Sequence, residues 1–352
     1  MRSLVAINCR AAVRSQIGGV ERLAREMALR LPALRPDRYV TVQPPAGLAH
    51  RAGHAWEQLA LPALAARCSL IYSPANLAPA LSARNVVVIH DAAALRHPEA
   101  YSRLYVAYQH RMLPLLARRA RLLITVSEFS RAELADALRV PGERIAVIPE
   151  GVDARFSADV DPAPVARRHG LRRPYVLSLG TVSARKNLAL LTRATRALAE
   201  RGLELVVAGS DRGYLRGSAA TIRRLGYIPD AELPALYAGA RALAMPSRYE
   251  GFGLPCLEAM ACGVPVVAAA SGALPETVAD AGLLVDPDDG ERFAQALIAA
   301  ACDEDLRSRL AAAGRRRATQ FSWDATAART DAAIARALGA DPEAHRSART
   351  RV

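Results

Sequence analysis

Two alternating periodicities constrain this chain more than any other feature. Short apolar runs recur at residues 4–7, 70–72, 86–90, 122–126 and 145–148, and again at 175–179, 203–208, 242–245, 264–268 and 283–285. Between the runs the period changes. Val20, Leu23, Ala24, Met27, Ala28 and Leu31 repeat at i, i+3, i+4 and i+7, the spacing of one helix face. Largely apolar strands separated by amphipathic helices build parallel sheets covered on both faces, which makes the chain α/β. The series breaks at "DARFSADVDPAPVARRHGLRRPY" (153–175), a polar, proline-bearing stretch with no strand pattern. A chain of 352 residues favours two domains over one. We therefore expect one domain over 1–155 and a second over 165–320. A helix at about 323–338 is expected to pack back on the first domain, before a polar, basic and mobile tail at 341–352.

Composition removes several alternatives. The five cysteines (Cys9, Cys68, Cys256, Cys262, Cys302) are scattered, odd in number and form no C-x-x-C pair. That argues against a disulfide framework or structural zinc and for a reducing compartment. The apolar run near the N-terminus is too short for a signal peptide. The longest uncharged stretch, 259–275, contains Gly263, Pro265, Gly272 and Pro275 and falls short of the roughly 20 apolar residues a membrane span needs. The expected location is therefore cytoplasmic. Net charge is +13. It is spread over the chain apart from "ARRAR" (117–121) and "GRRRA" (314–318). A basic protein has anionic partners within reach, but aromatics make up only 5% and no nucleic-acid-binding motif is present. A nucleic-acid binder is the alternative of a different class, and the favoured reading has no nucleic-acid partner.

The stretch "RYEGFGLPCLEAMACGVPVV" (248–267) is the main candidate site. Pro255 suits the first turn of a helix, where its missing N–H costs nothing. Gly263 suits the position just past a helix end, and Pro265 forbids continuation. A two-turn helix results, with Glu250 in the loop before it and Glu258 one turn inside. Gly251 and Gly253 permit close backbone approach to a ligand. A helix start offers N–H groups and a positive dipole end to phosphate. Glu258 could accept hydrogen bonds from ribose hydroxyls, and Glu250 could hold a sugar hydroxyl or steady positive charge beside a diphosphate. Equally, Glu250 could be a plain loop acid and Glu258 an acid favoured by the helix dipole.

With its neighbours, "SRYEGFGLPCLEAMACGVPVVAAASGALPETVADAGLLVDPDD" (247–289) resembles the donor-site signature of glycosyltransferase family four. The resemblance extends to "QIGGVERLARE" (16–26), "VVVIHDAAALRHPE" (86–99), "LLITVSEFSRAEL" (122–134), "IAVIPEGVD" (145–153), "VLSLGTVSARKNLALL" (176–191) and "GYIPDAELPALYAGARALAMPS" (226–247), all in the family's order. It implies the GT-B architecture, in which two Rossmann-like parallel-sheet domains face each other across a cleft. The nucleotide would bind mainly to the second domain and the acceptor to the first.

Carried over residue by residue, the resemblance implies that Gly18 and Gly19 contact the donor phosphate or close over the sugar, and that His90 lies beside the reacting carbon. Gly180 opens a loop carrying Arg185 and Lys186, cations placed to stabilise a leaving diphosphate. Many members have an arginine directly after that glycine, where this chain has Thr181. Arg185 is the expected substitute. Tyr227 and Ile228 would lie beside the nucleobase. Gly251, Phe252, Gly253, Leu254, Ser271 and Gly272 would line the donor site with Glu250 and Glu258. Ser130 and Glu133 read as a helix capping box, with Ser127 an alternative cap, and Arg131 is a minor candidate for phosphate or acceptor contact.

The implied reaction is retaining transfer of a hexose, mannose or rhamnose, from a nucleoside-diphosphate sugar to a hydroxyl of a glycan or lipid-linked acceptor in surface-polysaccharide assembly. GDP-mannose is the first donor expected. No cofactor and no catalytic metal are expected. A nucleotide-sugar epimerase of the same fold is the alternative enzyme. "HAWEQLALPALAAR" (54–67) and "LPLLARRAR" (113–121) could form a basic amphipathic surface at the inner face of the membrane.

Overall fold

A computed structural model describes residues 4–48, 53–180, 183–209 and 222–339. Two six-stranded sheets organise it. The first holds β1 (Val5–Asn8), β2 (Tyr39–Val42), β3 (Leu70–Ser73), β4 (Asn85–Val88), β5 (Leu122–Thr125) and β6 (Ile145–Val147), in the order β2-β1-β3-β4-β5-β6. The second holds β7 (Tyr175–Leu179), β8 (Glu204–Ala208), β9 (Arg223–Gly226), β10 (Ala240–Met245), β11 (Val266–Ala269) and β12 (Leu283–Val285), in the order β12-β11-β10-β7-β8-β9. Every pairing between these strands is parallel.

Each of the ten apolar runs became a strand, with ends shifted by at most two residues. Val5, Ala6 and Ile7 of β1 and Val86 and Val87 of β4 are fully buried, the burial that makes such runs continuous. Two strands had no such run. β2 and β9 each stand at one edge of their sheet, and apart from Tyr39 their residues are half-exposed or exposed. β9 reads Arg-Arg-Leu-Gly, which no apolar criterion selects.

The predicted helix face is present in Gly19–Leu34, where Leu23, Ala24, Met27 and Leu31 are buried. The 153–175 stretch contains no strand before Tyr175 opens β7, but it is more than a loose connection. It includes the helix Ala163–Arg168 and buries Phe156, Val165 and Leu171.

The chain crosses between the halves twice, and the crossings touch. Val152 N donates to Phe321 O at 3.3 Å. A Cβ added at Gly151 would lie 2.2 Å from Trp323 N, so only glycine allows this approach. The final helix, Trp323–Gly339, lies against Gly19–Leu34. Its Asp331 accepts hydrogen bonds from Tyr39 Oη (2.8 Å) and Arg38 Nη1 (2.6 Å), and Arg121 Nε donates to Ala337 O. The tail expected at 341–352 lies outside the described residues.

Candidate active site

In open parallel sheets, ligands gather at the carboxyl ends of strands where the strand order reverses. The reversal in the second sheet falls between β7 and β10. The loop after β7 carries Gly180, Arg185 and Lys186, and the loop after β10 carries Ser247, Tyr249 and Glu250. The topology thus brings two acid–base segments, 64 residues apart in sequence, to one point.

Their side chains interlock. Lys186 Nζ lies 2.5 Å from Glu250 Oε1, and Arg185 Nη1 lies 3.4 Å from Glu250 Oε2 while donating to Tyr249 O at 2.9 Å. Glu250 and Lys186 are both buried. Burial alone would raise the Glu250 carboxyl, but the charges of Lys186 and Arg185 outweigh it and hold the group down at about 2. Lys186 is lowered, first by its own burial and then by Arg185, against the pull of Glu250. Two cations and one anion leave the cluster with net positive charge. At Gly180 a Cβ would meet Lys186 Cε at 2.9 Å, so the glycine makes room for the lysine stem. Thr181 lies outside the described residues.

The helix beyond Glu250 forms as its sequence predicts, over Leu254–Ala261, with Pro255 in the first turn, Cys262 at its end and Gly263 at φ 70°. Gly251 brings this segment against the first half. A Cβ there would stand 2.9 Å from both Asp91 Cβ and His90 O. Its carbonyl accepts from Ser127 Oγ (2.6 Å) and Ser130 Oγ (3.0 Å). The capping box expected from Ser130 and Glu133 does not form. Ser127 caps the helix Glu128–Leu138 by accepting from Ser130 N at 3.0 Å, which frees the Ser130 hydroxyl to tie the halves together. Arg131 pairs with Glu128 on the surface.

One pocket between the halves is lined by thirteen of the predicted residues: Gly18, Gly19, His90, Gly180, Arg185, Lys186, Tyr227, Ile228, Glu250, Gly251, Phe252, Gly253 and Leu254. Glu258, Ser271 and Gly272 are not in its lining. Glu258 is buried beneath it, with Oε1 2.9 Å from Arg22 Nη1 and Oε2 accepting from Tyr237 Oη at 2.9 Å. A ribose reaches that carboxylate only by taking the place of one of these partners. Gly272 lies behind Glu250, where a Cβ would meet Glu250 N at 2.7 Å. Ser271 Oγ donates to Arg248 O. Both brace the loop that carries Glu250.

The first half contributes residues that sequence reasoning passed over. Asn76 Oδ1 accepts from His90 N at 2.8 Å. Glu150 Oε1 lies 3.3 Å from His90 Nδ1. Tyr101, Tyr105 and Gln109 complete that wall. Of these, only Glu150 carried a sequence signal, since it lies in "IPEGVD", directly after a predicted strand and a proline.

Comparison with known proteins agrees with this architecture. Residues 17–156 match the Glycosyltransferase Family 4 model, and residues 163–317 match Glycosyl transferases group 1. The chain is 36% identical over 263 residues to O-antigen chain mannosyltransferase B of Escherichia coli, covering 68% of this chain and 67% of that protein. It is 34% identical to MMP alpha-(1->4)-mannosyltransferase of Mycolicibacterium hassiacum, covering 63% and 56%. Among solved structures, sucrose-phosphate synthase of Thermosynechococcus elongatus superposes with a TM-score of 0.77 at 22% identity, covering 97% of this chain and 100% of that one. That similarity establishes the fold, two Rossmann-like domains in the GT-B arrangement. The chain belongs to the family-four glycosyltransferases. No helix among the described residues is long and apolar enough to cross a membrane.

Proposed function

We propose that the chain transfers a hexose, mannose first among candidates, from a nucleoside diphosphate to a hydroxyl of a glycan or lipid-linked acceptor, with retention of anomeric configuration. The observation that carries this reading is the Arg185–Lys186–Glu250 cluster beside the first turn of Leu254–Ala261, inside a pocket both halves line. The relatives named as mannosyltransferases favour mannose, and with it GDP-mannose.

In this reading the diphosphate lies against the Gly251–Leu254 backbone. Lys186 and Arg185 stabilise the negative charge that grows as the sugar–phosphate bond breaks. One such preorganised donor is worth about 10²–10³ in rate. Tyr227 and Ile228 flank the base, Gly18 and Gly19 close over the phosphates, and His90 stands beside the sugar. The departing phosphate oxygen takes the acceptor hydroxyl proton. The donor C1–O bond breaks and the acceptor C1–O bond forms on the same face. Glu250 keeps its two cations aimed and does not attack.

A thermal-shift screen of GDP, UDP, dTDP and ADP sugars tests the donor. A ligand at about 100 times its Kd adds about 2.7 kcal/mol. Stabilisation by GDP-mannose together with an α-linked product in NMR supports the reading. A different sugar nucleotide reassigns the donor, and no response to any of the four refutes the function.

Contact with an anionic membrane surface is part of the proposal, and exposed side chains support it. Leu59 and Leu64 on the helix Gly53–Leu64 and Leu104 on Arg103–Arg119 are exposed, as are Arg118 and Arg119. Arg119 Nη1 donates to Leu81 O at 3.3 Å, and the half-buried Arg121 donates to Ala337 O. We expect greater retention on vesicles containing anionic lipid than on neutral ones. Equal recovery rejects membrane contact.

A further inference from the structure

We propose that Glu150 is a positioning residue for the transfer reaction, holding the His90 ring fixed and doubly protonated at the wall of the pocket. The proposal rests on the transfer reading for its consequence but on geometry for its content. His90 Nε2 lies 3.0 Å from Pro74 O, and Nδ1 lies 3.3 Å from Glu150 Oε1. The Pro74 carbonyl can only accept, so Nε2 faces it with an N–H. A second N–H on Nδ1 faces the Glu150 carboxyl and makes that contact an ion pair. The backbone is pinned as well, through His90 N to Asn76 Oδ1. His90 and Glu150 are 7% and 3% exposed, so little solvent screens the pair.

The charges around the ring leave this task to Glu150. Asp91, next in the chain, turns Oδ1 to Ala93 N at 2.9 Å. Glu21, from the helix Gly19–Leu34, pairs with Arg14 at 3.1 Å. Across the pocket Glu250 is held by Lys186 and Arg185. Among the described residues, the ion pair of Glu150 is with His90 alone. Burial by itself favours the neutral ring. The adjacent Glu150 carboxyl, then the Pro74 carbonyl and the charge of Asp91, reverse that and raise the His90 pKa.

With both nitrogens engaged, the ring cannot collect the acceptor proton. It presents a fixed positive charge, present below its raised ionisation point and lost as pH rises through it. Transfer should therefore fall on the alkaline side as His90 deprotonates. An opposite charge this close shifts a titration by about one to three pH units.

The test is Glu150→Gln, which keeps the shape and removes the charge, with Glu150→Asp as the conservative rescue. His90 is followed by NMR of histidine-labelled protein, assigned with His90→Gln, alongside pH profiles of turnover. We expect the Glu150→Gln ring to titrate about one to three pH units lower, the alkaline limb of kcat to move with it, and Glu150→Asp to restore most of both. A wild-type ring that is neutral and single-tautomer at pH 7 overturns the inference. So does an unchanged His90 titration in Glu150→Gln, whether or not sugar is transferred. A shifted titration in a protein that transfers no sugar supports the pair and refutes only the transfer reading. If Glu150→Gln fails to fold, the wild-type protein carries the test, and a His90 ring that titrates there at or below the ordinary histidine value overturns the inference.

Discussion

Replacing Glu250 with glutamine tests the cluster on stability and activity at once. The carboxyl is held at about 2, against 4.5 for an unperturbed glutamate, and the group is 8% exposed, so solvent screens little of the difference. At 1.36 kcal/mol per pH unit, that gap corresponds to about 3 kcal/mol of folding stability. Breaking a buried ion pair by removing one partner costs about 3–5 kcal/mol, which agrees. Lys186, already lowered by burial, can shed its proton once its acid is gone, which trims the cost toward the lower figure. For a folding unit of this size about 2–4 °C is lost per kcal/mol, so calorimetry should show a melting point lower by about 6–12 °C at pH 7. The sign with pH is fixed by the direction of the shift. A depressed carboxyl stabilises above its unfolded value and loses that contribution as pH falls through the folded one. The gap between wild type and Glu250→Gln should be complete above about pH 5 and close toward pH 2. Turnover should fall at least 10²-fold, because the cations lose their alignment. A gap that does not change with pH, or a variant that turns over normally, refutes the ion-pair account.

Two further outcomes test the frame around the site. Gly251→Ala pushes a methyl to within 2.9 Å of Asp91 Cβ and His90 O. We expect a loss of about 1–3 kcal/mol on denaturation and a marked fall in turnover, since the contact lies between the halves at the pocket. Asp331→Ala removes the acceptor of Tyr39 and Arg38, far from the pocket. It should cost about 1–3 kcal/mol by urea titration and leave kcat and KM at 25 °C unchanged.

The sequence revealed the architecture because buried parallel strands have to be apolar on both faces. That rule found every interior strand and missed only β2 and β9, edge strands whose residues are largely exposed or half-exposed. The motif residues after β7 and β10 were legible for a related reason. Glycines, a helix-start proline and charged residues in otherwise apolar surroundings have few structural uses at a strand end. What stayed hidden depends on which groups meet across long sequence separations. Ser127 and Ser130 look like local caps; Ser127 is one, and both also hold Gly251, more than 120 residues away. Glu258 reads as open to ligand, and the structure gives both of its oxygens to Arg22 and Tyr237. Glu150 gains its meaning only from His90, on a different strand end. The need for glycine at position 151 comes from a second chain crossing at Trp323, which no local pattern shows.

Diffraction from crystals soaked with GDP offers the most direct check on the central claim. The diphosphate should lie against the backbone from Gly251 to Leu254, within hydrogen-bond reach of Lys186 Nζ. A nucleotide bound away from that turn, with Lys186 still engaged only by Glu250, would contradict the account.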